Sequence, residues 1–351
     1  MFKKMVYFVL GLVALVVVLF FAIGYFISAP VYRGNPTDHF DGKKFKNLGG
    51  AEAKNLGDVF RWLASRKPGS WPPAGQVTLG AKPAHRLSDD TLRITYVNHT
   101  TFLIQVGGLN ILTDPIWSER CSPFSFAGPR RVRPAGIAFD DLPTIHLVLI
   151  SHNHYDHLDL PTLKRLYTRD RPQIITPLGV GAFIEQQGLG KAQDMDWWQT
   201  LSLTQTLQLV CVPAQHFSGR GLFDRDQTLW CGFVLQTQVG NLFFVGDTGY
   251  GEIFKTIAQK YSPMRVSLLP IGAFKPEWFM SPIHISPGQA VQIHQEVSSQ
   301  LSIASHYGTF PLADDGFTDP ANELQAALAQ QKIDPAQFVL LPEGQFIDIV
   351  K

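Results

Sequence analysis

The string Ile150-Ser151-His152-Asn153-His154-Tyr155-Asp156-His157-Leu158-Asp159 follows directly on an apolar, β-branched run from Ile145. Four potential metal ligands therefore fall within six residues. A strand ending in a tight loop can direct His152 and His154 to one ion while Asp156 and His157, further round the turn, face a second; imidazole and carboxylate together suit Zn²⁺ and similar divalent ions. Three more candidates stand at comparable strand ends. His216 follows Leu207 to Pro213, Asp247 follows Leu242 to Gly246, and His306 follows Leu301 to Ser305. The pattern of apolar strand, ligand, then small or polar residue is met four times, as a metal site along one edge of a layered fold requires.

The remaining pattern from Leu92 onward supplies those layers. Short apolar or alternating runs at Leu92 to Val97, Thr101 to Val106, Asn110 to Thr113, Ile145 to Ser151, Leu207 to Val212, Trp230 to Gln236, Leu242 to Gly246 and Val266 to Pro270 have the length and β-branched content of strands. Helical segments are expected around Pro161 to Tyr167, Val180 to Gln187, Glu252 to Gln259, Pro287 to Val297 and Ala321 to Gln330. Ser286-Pro287-Gly288-Gln289 reads as a capping box with proline at the first helical position. Strands lead and helices follow in each half, which predicts an α/β protein of the αββα sandwich type. Three parts are expected: a transmembrane anchor over residues 5–27, a lead-in over 28–90 with a helix near Ala51 to Ala64, and the layered domain over 91–351.

Residues 5 to 27 carry no charge and are rich in Val, Leu, Phe and Ile. A helix of 23 residues at 1.5 Å each covers the roughly 30 Å hydrocarbon core of a bilayer. A cleaved signal peptide is the alternative, since Lys3 and Lys4 resemble a basic leader and Ser28-Ala29 a cleavage site, although a secretory apolar core is usually only ~7–15 residues; a buried core helix is a third. Lys3 and Lys4 favour a cytoplasmic N-terminus with the body, residues 91–351 included, extracytoplasmic. Arg33, Lys43, Lys44 and Lys46 argue the reverse, so orientation stays open. Lys3 and Lys4 are two of the 30 Lys+Arg, which leaves 28 against 29 Asp+Glu for the body. Such a balance argues against a nucleic-acid partner, because that affinity comes from many phosphate contacts. Three cysteines, Cys121, Cys211 and Cys231, form no C-x-x-C and exclude a disulfide framework.

The ligand set H-x-H-x-D-H, then His, Asp and His, resembles the metallo-β-lactamase superfamily. Its spacings, 59 residues from His157 to His216, 31 more to Asp247 and 59 more to His306, suit that resemblance. Leu112-Thr113-Asp114-Pro115-Ile116, Gly128-Pro129-Arg130-Arg131, Asp196-Trp197-Trp198, Pro213-Ala214-Gln215-His216, Gly246-Asp247-Thr248-Gly249-Tyr250, Pro270-Ile271-Gly272-Ala273, Trp278-Phe279-Met280 and His306-Tyr307-Gly308-Thr309-Phe310 narrow it. Together with the histidine string they resemble the N-acylphosphatidylethanolamine-hydrolysing phospholipase D family, from about residue 90 to the C-terminus. The well-known animal members lack an N-terminal anchor of this kind.

The resemblance implies the metallo-β-lactamase fold and two Zn²⁺ per chain: His152, His154 and His216 on one, Asp156, His157 and His306 on the other, with Asp247 bridging. It implies hydrolysis of N-acylphosphatidylethanolamine, or a related phospholipid met at a membrane surface, to phosphatidic acid and an N-acylethanolamine, and a homodimer. Asp156 and Asp247 are then the catalytic carboxylates. His284, placed beside the site, is expected to bind phosphate or protonate the leaving alkoxide. Tyr155 is expected either to donate to a phosphate oxygen or to pack the loop. Asp114 is expected to orient a ligand histidine, because ligating imidazoles need a partner on the other nitrogen. His99 reads as a hydrogen-bonded support. Arg120, Arg130, Arg131 and Arg133 with Phe124 and Phe126, and Lys275 with Trp278, Phe279 and Met280, are candidates for an anionic lipid surface or for ordinary solvated loops. A lactone or sugar-phosphate hydrolase of the same fold and a non-enzymatic, membrane-tethered metal-binding protein are the competing readings.

Overall fold

A computed structural model describes residues 2–88 and 90–351. The chain opens with helix α1 (Phe2–Ile27), followed after the first part of the lead-in by α2 (Leu56–Ser65). The first sheet is built from β1 (Thr91–Asn98), β2 (Thr101–Val106), β3 (Leu109–Thr113), β4 (Leu147–Leu149), β5 (Gln173–Pro177) and β6 (Gln193–Met195), with α3 (Leu160–Asp170) and α4 (Val180–Gln186) between the later strands. The second takes β7 (Thr200–Ser202), β8 (Gln208–Val212), β9 (Gly232–Thr237), β10 (Gly240–Phe244), β11 (Met264–Pro270), β12 (Ser302–Ser305) and β13 (Phe338–Val339). Its helices are α5 (Ile253–Tyr261), α6 (Glu277–Met280), α7 (Pro287–Glu296) and α8 (Asp319–Gln331). The last strand, β14 (Phe346–Val350), returns to the first sheet beside β1.

Each sheet has seven strands, ordered β14-β1-β2-β3-β4-β5-β6 and β13-β12-β11-β10-β9-β8-β7. Ile94, Phe102, Ile104 and Leu149 of the first meet Leu209, Phe233, Leu235 and Phe244 of the second in a central core. Two further cores lie on the outer faces, one joining Leu163, Leu166, Phe183 and Ile184 to the first sheet, the other joining Phe254, Ile257, Val291, Ile293 and Leu328 to the second. This is the expected αββα order of layers. The capping box of α7 forms as expected, with Ser286 accepting from Gln289 N. Five strands depart from expectation, β13 among them with only two residues. β5, β6, β7, β13 and β14 are short or sit at sheet margins, where two to five residues give no readable period.

The parallel pairing of β3 with β4, and of β10 through β11 with β12, puts their C-terminal ends on one edge. β8 shares the direction of β10, because each is antiparallel to β9. The loops after β4, β8, β10 and β12 therefore open on the same side.

The lead-in crosses this body as a strap. Phe40 and Phe45 enter the central core, His39 stacks on Trp197 at 4.4 Å, Arg66 Nε donates to Asp314 Oδ1 at 2.8 Å, and Trp71 Nε1 donates to the Asp315 carbonyl. By contrast α1 projects from the body. None of its most apolar window is buried, which overturns the core-helix alternative, and it is long and apolar enough to cross a membrane.

Candidate metal centre

His152, His154, Asp156, His157, His216, Asp247 and His306 meet at the shared edge. The nitrogens of His152, His154 and His216 form one group of potential ligands, and Asp156, His157 and His306, with His99, form another. Asp247 stands between them: its Oδ2 lies 3.1 Å from both His157 Nε2 and His306 Nε2, and 3.8 Å from His216 Nε2. His152 Nε2 and His216 Nε2 approach His154 Nδ1 at 2.8 and 3.3 Å.

The opposite ring atoms are held from outside. His157 Nδ1 meets Asp114 Oδ2 at 2.7 Å, His152 Nδ1 meets Ser151 Oγ at 2.9 Å, and His216 Nδ1 meets the Ile283 carbonyl at 2.8 Å. Such bonds fix the ring and its tautomer, leaving one nitrogen aimed inward. Asp114 also accepts from Ser151 N and Oγ, so the expectation for this residue is met. His99 supports as expected, its Nε2 lying 3.0 Å from Asp156 Oδ2. The strap adds a partner that its sequence does not signal. Asn47 Oδ1 accepts from His216 N and from Trp230 Nε1, while Asn47 Nδ2 donates to the His216 carbonyl.

Backbone conformation is spent here too. His99, Asp114 and His306 adopt positive φ of 48, 34 and 58°, uncommon for side-chain-bearing residues and a form of strain that gathers at functional sites. Gly246, at φ 67°, lets the Asp247 loop pass the histidine loop; a Cβ there would come within 2.7 Å of Ser151 Cβ.

Burial drives the histidines of the first group toward the neutral, ligating form: His154 is lowered to about 4, His216 to about 3, and His152 well below its usual range. Burial likewise lowers His284 to about 3. The second group behaves oppositely. Burial opposes charge on His157 and His306, but Asp247 and Asp156 outweigh it, raising His157 well above its usual range and His306 to about 9. Burial would equally raise Asp156 and Asp247, yet the neighbouring histidines hold both carboxyls well below the carboxylate range. The centre thus calls for positive charge, which protons supply in the absence of cations and divalent ions supply by displacing them. Asp247 Oδ1 is buried with no hydrogen-bond partner among the described residues. The neutral imidazoles of the first group, the ionised carboxylates and that unpartnered oxygen fit divalent metal ions.

A cleft of about 240 Å³ leads to these groups, walled by Val59 and Trp62 of α2, Phe217, Phe279, Met280, Ile283 and Leu312, with Lys54 and Arg225 also in its lining. Trp62 stacks on Phe279 at 4.8 Å. His284 lines the cleft, its Nδ1 without a hydrogen-bond partner among the described residues and 3.9 Å from Asp247 Oδ2.

For several residues the structure selects between the two expected roles. Tyr155 is not brought to the cleft: its hydroxyl donates to the Arg220 carbonyl and its ring lies 3.9 Å from the Arg220 guanidinium, so it packs the loop from behind. Phe279 and Met280 turn inward, leaving Trp278 outside. Lys275 is paired with Asp319 and Glu323. Arg131 is buried on the Ser118 and Ile116 carbonyls, Arg130 pairs with Glu119, and Arg133 with Glu343, so this segment braces itself.

Comparison with known proteins agrees with this construction. The family model of the beta-lactamase superfamily domain matches residues 109–307. A solved structure, isothiocyanate hydrolase from Delia radicum gut bacteria, shares the fold with a TM-score of 0.59 at 17% identity, covering 73% of this chain and 98% of its own. N-acyl-phosphatidylethanolamine-hydrolyzing phospholipase D 1 of Caenorhabditis elegans is 33% identical over 323 residues, 86% of this chain and 90% of the relative. An uncharacterised Mycobacterium tuberculosis protein is 37% identical over 295 residues, 83% of this chain and 76% of the relative. The chain belongs to the N-acylphosphatidylethanolamine-hydrolysing phospholipase D family of the metallo-β-lactamase superfamily.

Proposed function

We propose that the protein is a membrane-anchored, zinc-dependent phosphodiesterase that cleaves N-acylphosphatidylethanolamine-type phospholipids to phosphatidic acid and N-acylethanolamine. The observation that carries the proposal is the convergence of seven ligand side chains at the end of an apolar cleft. His152, His154 and His216 would hold one Zn²⁺, and Asp156, His157 and His306 the other, with Asp247 shared. When bound, such a pair lowers the pKa of a common water and neutralises charge on phosphoryl oxygens.

The chain's own groups then divide the work. Asp114, Ser151 and the Ile283 carbonyl hold the ligand rings in place. Asp156, kept ionised and braced by His99, accepts a hydrogen bond from the attacking water. His284 offers its unpartnered Nδ1 to a phosphoryl or leaving oxygen. As the new P–O bond forms, the bond from phosphorus to the ethanolamine oxygen breaks, and that oxygen leaves with a proton. Phe217, Phe279, Met280 and Leu312 give an acyl chain an apolar wall, and Lys54 and Arg225 in the same lining suit a phosphate. Helix α1 keeps the cleft beside lipid by raising its effective concentration there.

Zinc-loaded protein in mixed micelles should release N-acylethanolamine. Asp247→Asn should reduce that rate beyond the roughly 10–100-fold typical of losing an outer partner. A rate unchanged by Asp247→Asn, or by His216→Ala, would refute the mechanism.

A further inference from the structure

The loop that follows His216 does not merely close the metal site. Its tip, Leu222 and Phe223, meets the end of α1. Gly24 is the buried residue of that helix, and a Cβ on it would fall 2.3 Å from Leu222 Cδ1. Phe21 and Phe223 have ring centroids 6.3 Å apart. The junction is also hydrogen-bonded: Leu222 N donates to the Gly24 carbonyl at 3.4 Å, Phe223 N to Ser28 Oγ at 3.3 Å, and Ala29 N to Asp224 Oδ2 at 2.8 Å.

The polar groups of this loop turn inward. Asp224 accepts from Arg220 N and Gly221 N, and Arg220 Nη1 donates to the Asn153 and Leu158 carbonyls of the histidine loop. Gly219 N donates to Asn153 Oδ1. Leu222 and Phe223, meanwhile, remain 46% and 48% exposed. A tip with satisfied backbone donors and two outward apolar side chains is suited to lipid rather than water.

We propose that Leu222 and Phe223 are embedded in the lipid bilayer alongside α1, so that the helix and the metal-ligand loops form one rigid unit seated on the membrane. The inference rests on the reading of α1 as a membrane span. The occupant of this surface follows from continuity, because the two side chains extend the apolar end of that span. With Ile27 at the hydrocarbon boundary, Gly24 lies about 4.5 Å and Phe21 about 9 Å deeper along the helix. Leu222 and Phe223 would reach similar levels, within the roughly 5–10 Å depth usual for interfacial apolar groups. His216 lies only six residues before Leu222, so this contact sets the distance and tilt of the cleft relative to the bilayer.

The full chain in phosphatidylcholine vesicles tests the proposal. Phe223→Cys and, independently, Leu222→Cys are labelled with an environment-sensitive fluorophore; Cys121, Cys211 and Cys231 are buried. Gln205→Cys, in the turn before β8 at the opposite edge, serves as the aqueous reference. Labels at 222 and 223 should emit at shorter wavelength than the reference, lose quenching by iodide and gain quenching by lipids carrying a nitroxide high on the acyl chain. Emission and iodide quenching equal to the reference at both positions, in protein that resists alkaline extraction from the vesicles, would overturn the proposal. Extraction of the chain by alkali would overturn it as well. No substrate is used, so this result stands or falls separately from the hydrolysis assay.

Discussion

Asp114 has one oxygen on His157 and both on Ser151, yet touches none of the other expected ligands. Its effect must pass through the ring it orients. Asp114→Asn keeps the shape but weakens the acceptor for His157 Nδ1, and metal affinity measured by competition with a chelator should fall about 10–100-fold. Unchanged affinity would remove Asp114 from the account. Asn47 holds the backbone of His216 rather than its ring, and no motif marks it. Its role arises from a meeting of residues 169 apart in sequence, and only the folded strap brings them together. Tyr155 presents the converse. It sits inside the ligand loop and faces away from the cleft, because Arg220 takes both its ring and its hydroxyl. The ligands themselves were legible in the sequence because each follows directly on an apolar run, at Ile145 to Ile150, Leu207 to Pro213, Leu242 to Gly246 and Leu301 to Ser305.

At the scale of elements, the strap is fixed by its aromatic residues and by one ionisable latch. Phe40 is fully buried between the sheets, and Phe40→Ala should destabilise the protein by about 3–5 kcal/mol in chemical denaturation. His39 lies with Nδ1 2.6 Å from Asp38 and Nε2 2.8 Å from Asp196. Burial opposes its charge, but the hydrogen bonds and charges of Asp196 and Asp38 prevail and raise its pKa above the usual value. The latch therefore contributes fully below about pH 6.5, the unfolded value, and weakens as pH rises through the elevated folded one. The thermal midpoint of the native protein should decline across that upper window, and Asp196→Asn should flatten the decline. An identical slope in the variant would show that the latch contributes no pH dependence. The long strands of this body announce themselves by alternation. By contrast β6 and β7, three residues each, take their form from neighbours, and β14 is placed by pairing with β1 from the far end of the chain.

For the whole molecule, the unusual feature is a metal centre whose loops are joined to an exposed apolar helix. Apart from Gly24 that helix buries little of itself. Deleting residues 1–27 should leave the body folded and active on micelles, while activity on vesicles should fall by about 100-fold or more through lost effective concentration. Equal losses on both substrates would mean that α1 contributes to folding of the site instead. The uncharged stretch and its length were readable from sequence alone. Its docking on Leu222 and Phe223 was not, since those two residues form no pattern and their significance lies in what they touch.

The central claim is that this centre directs water to phosphorus in a phospholipid diester. Metal-loaded full chain, incubated with N-acylphosphatidylethanolamine in oxygen-18-labelled water, tests it most directly by mass spectrometry of the lipids. Equal amounts of unlabelled N-acylethanolamine and of phosphatidic acid carrying the heavy oxygen on phosphorus are expected, with formation of both abolished by chelator and restored by Zn²⁺. Label in the N-acylethanolamine, products of diacylglycerol or free fatty acid, or release indifferent to chelation would contradict it.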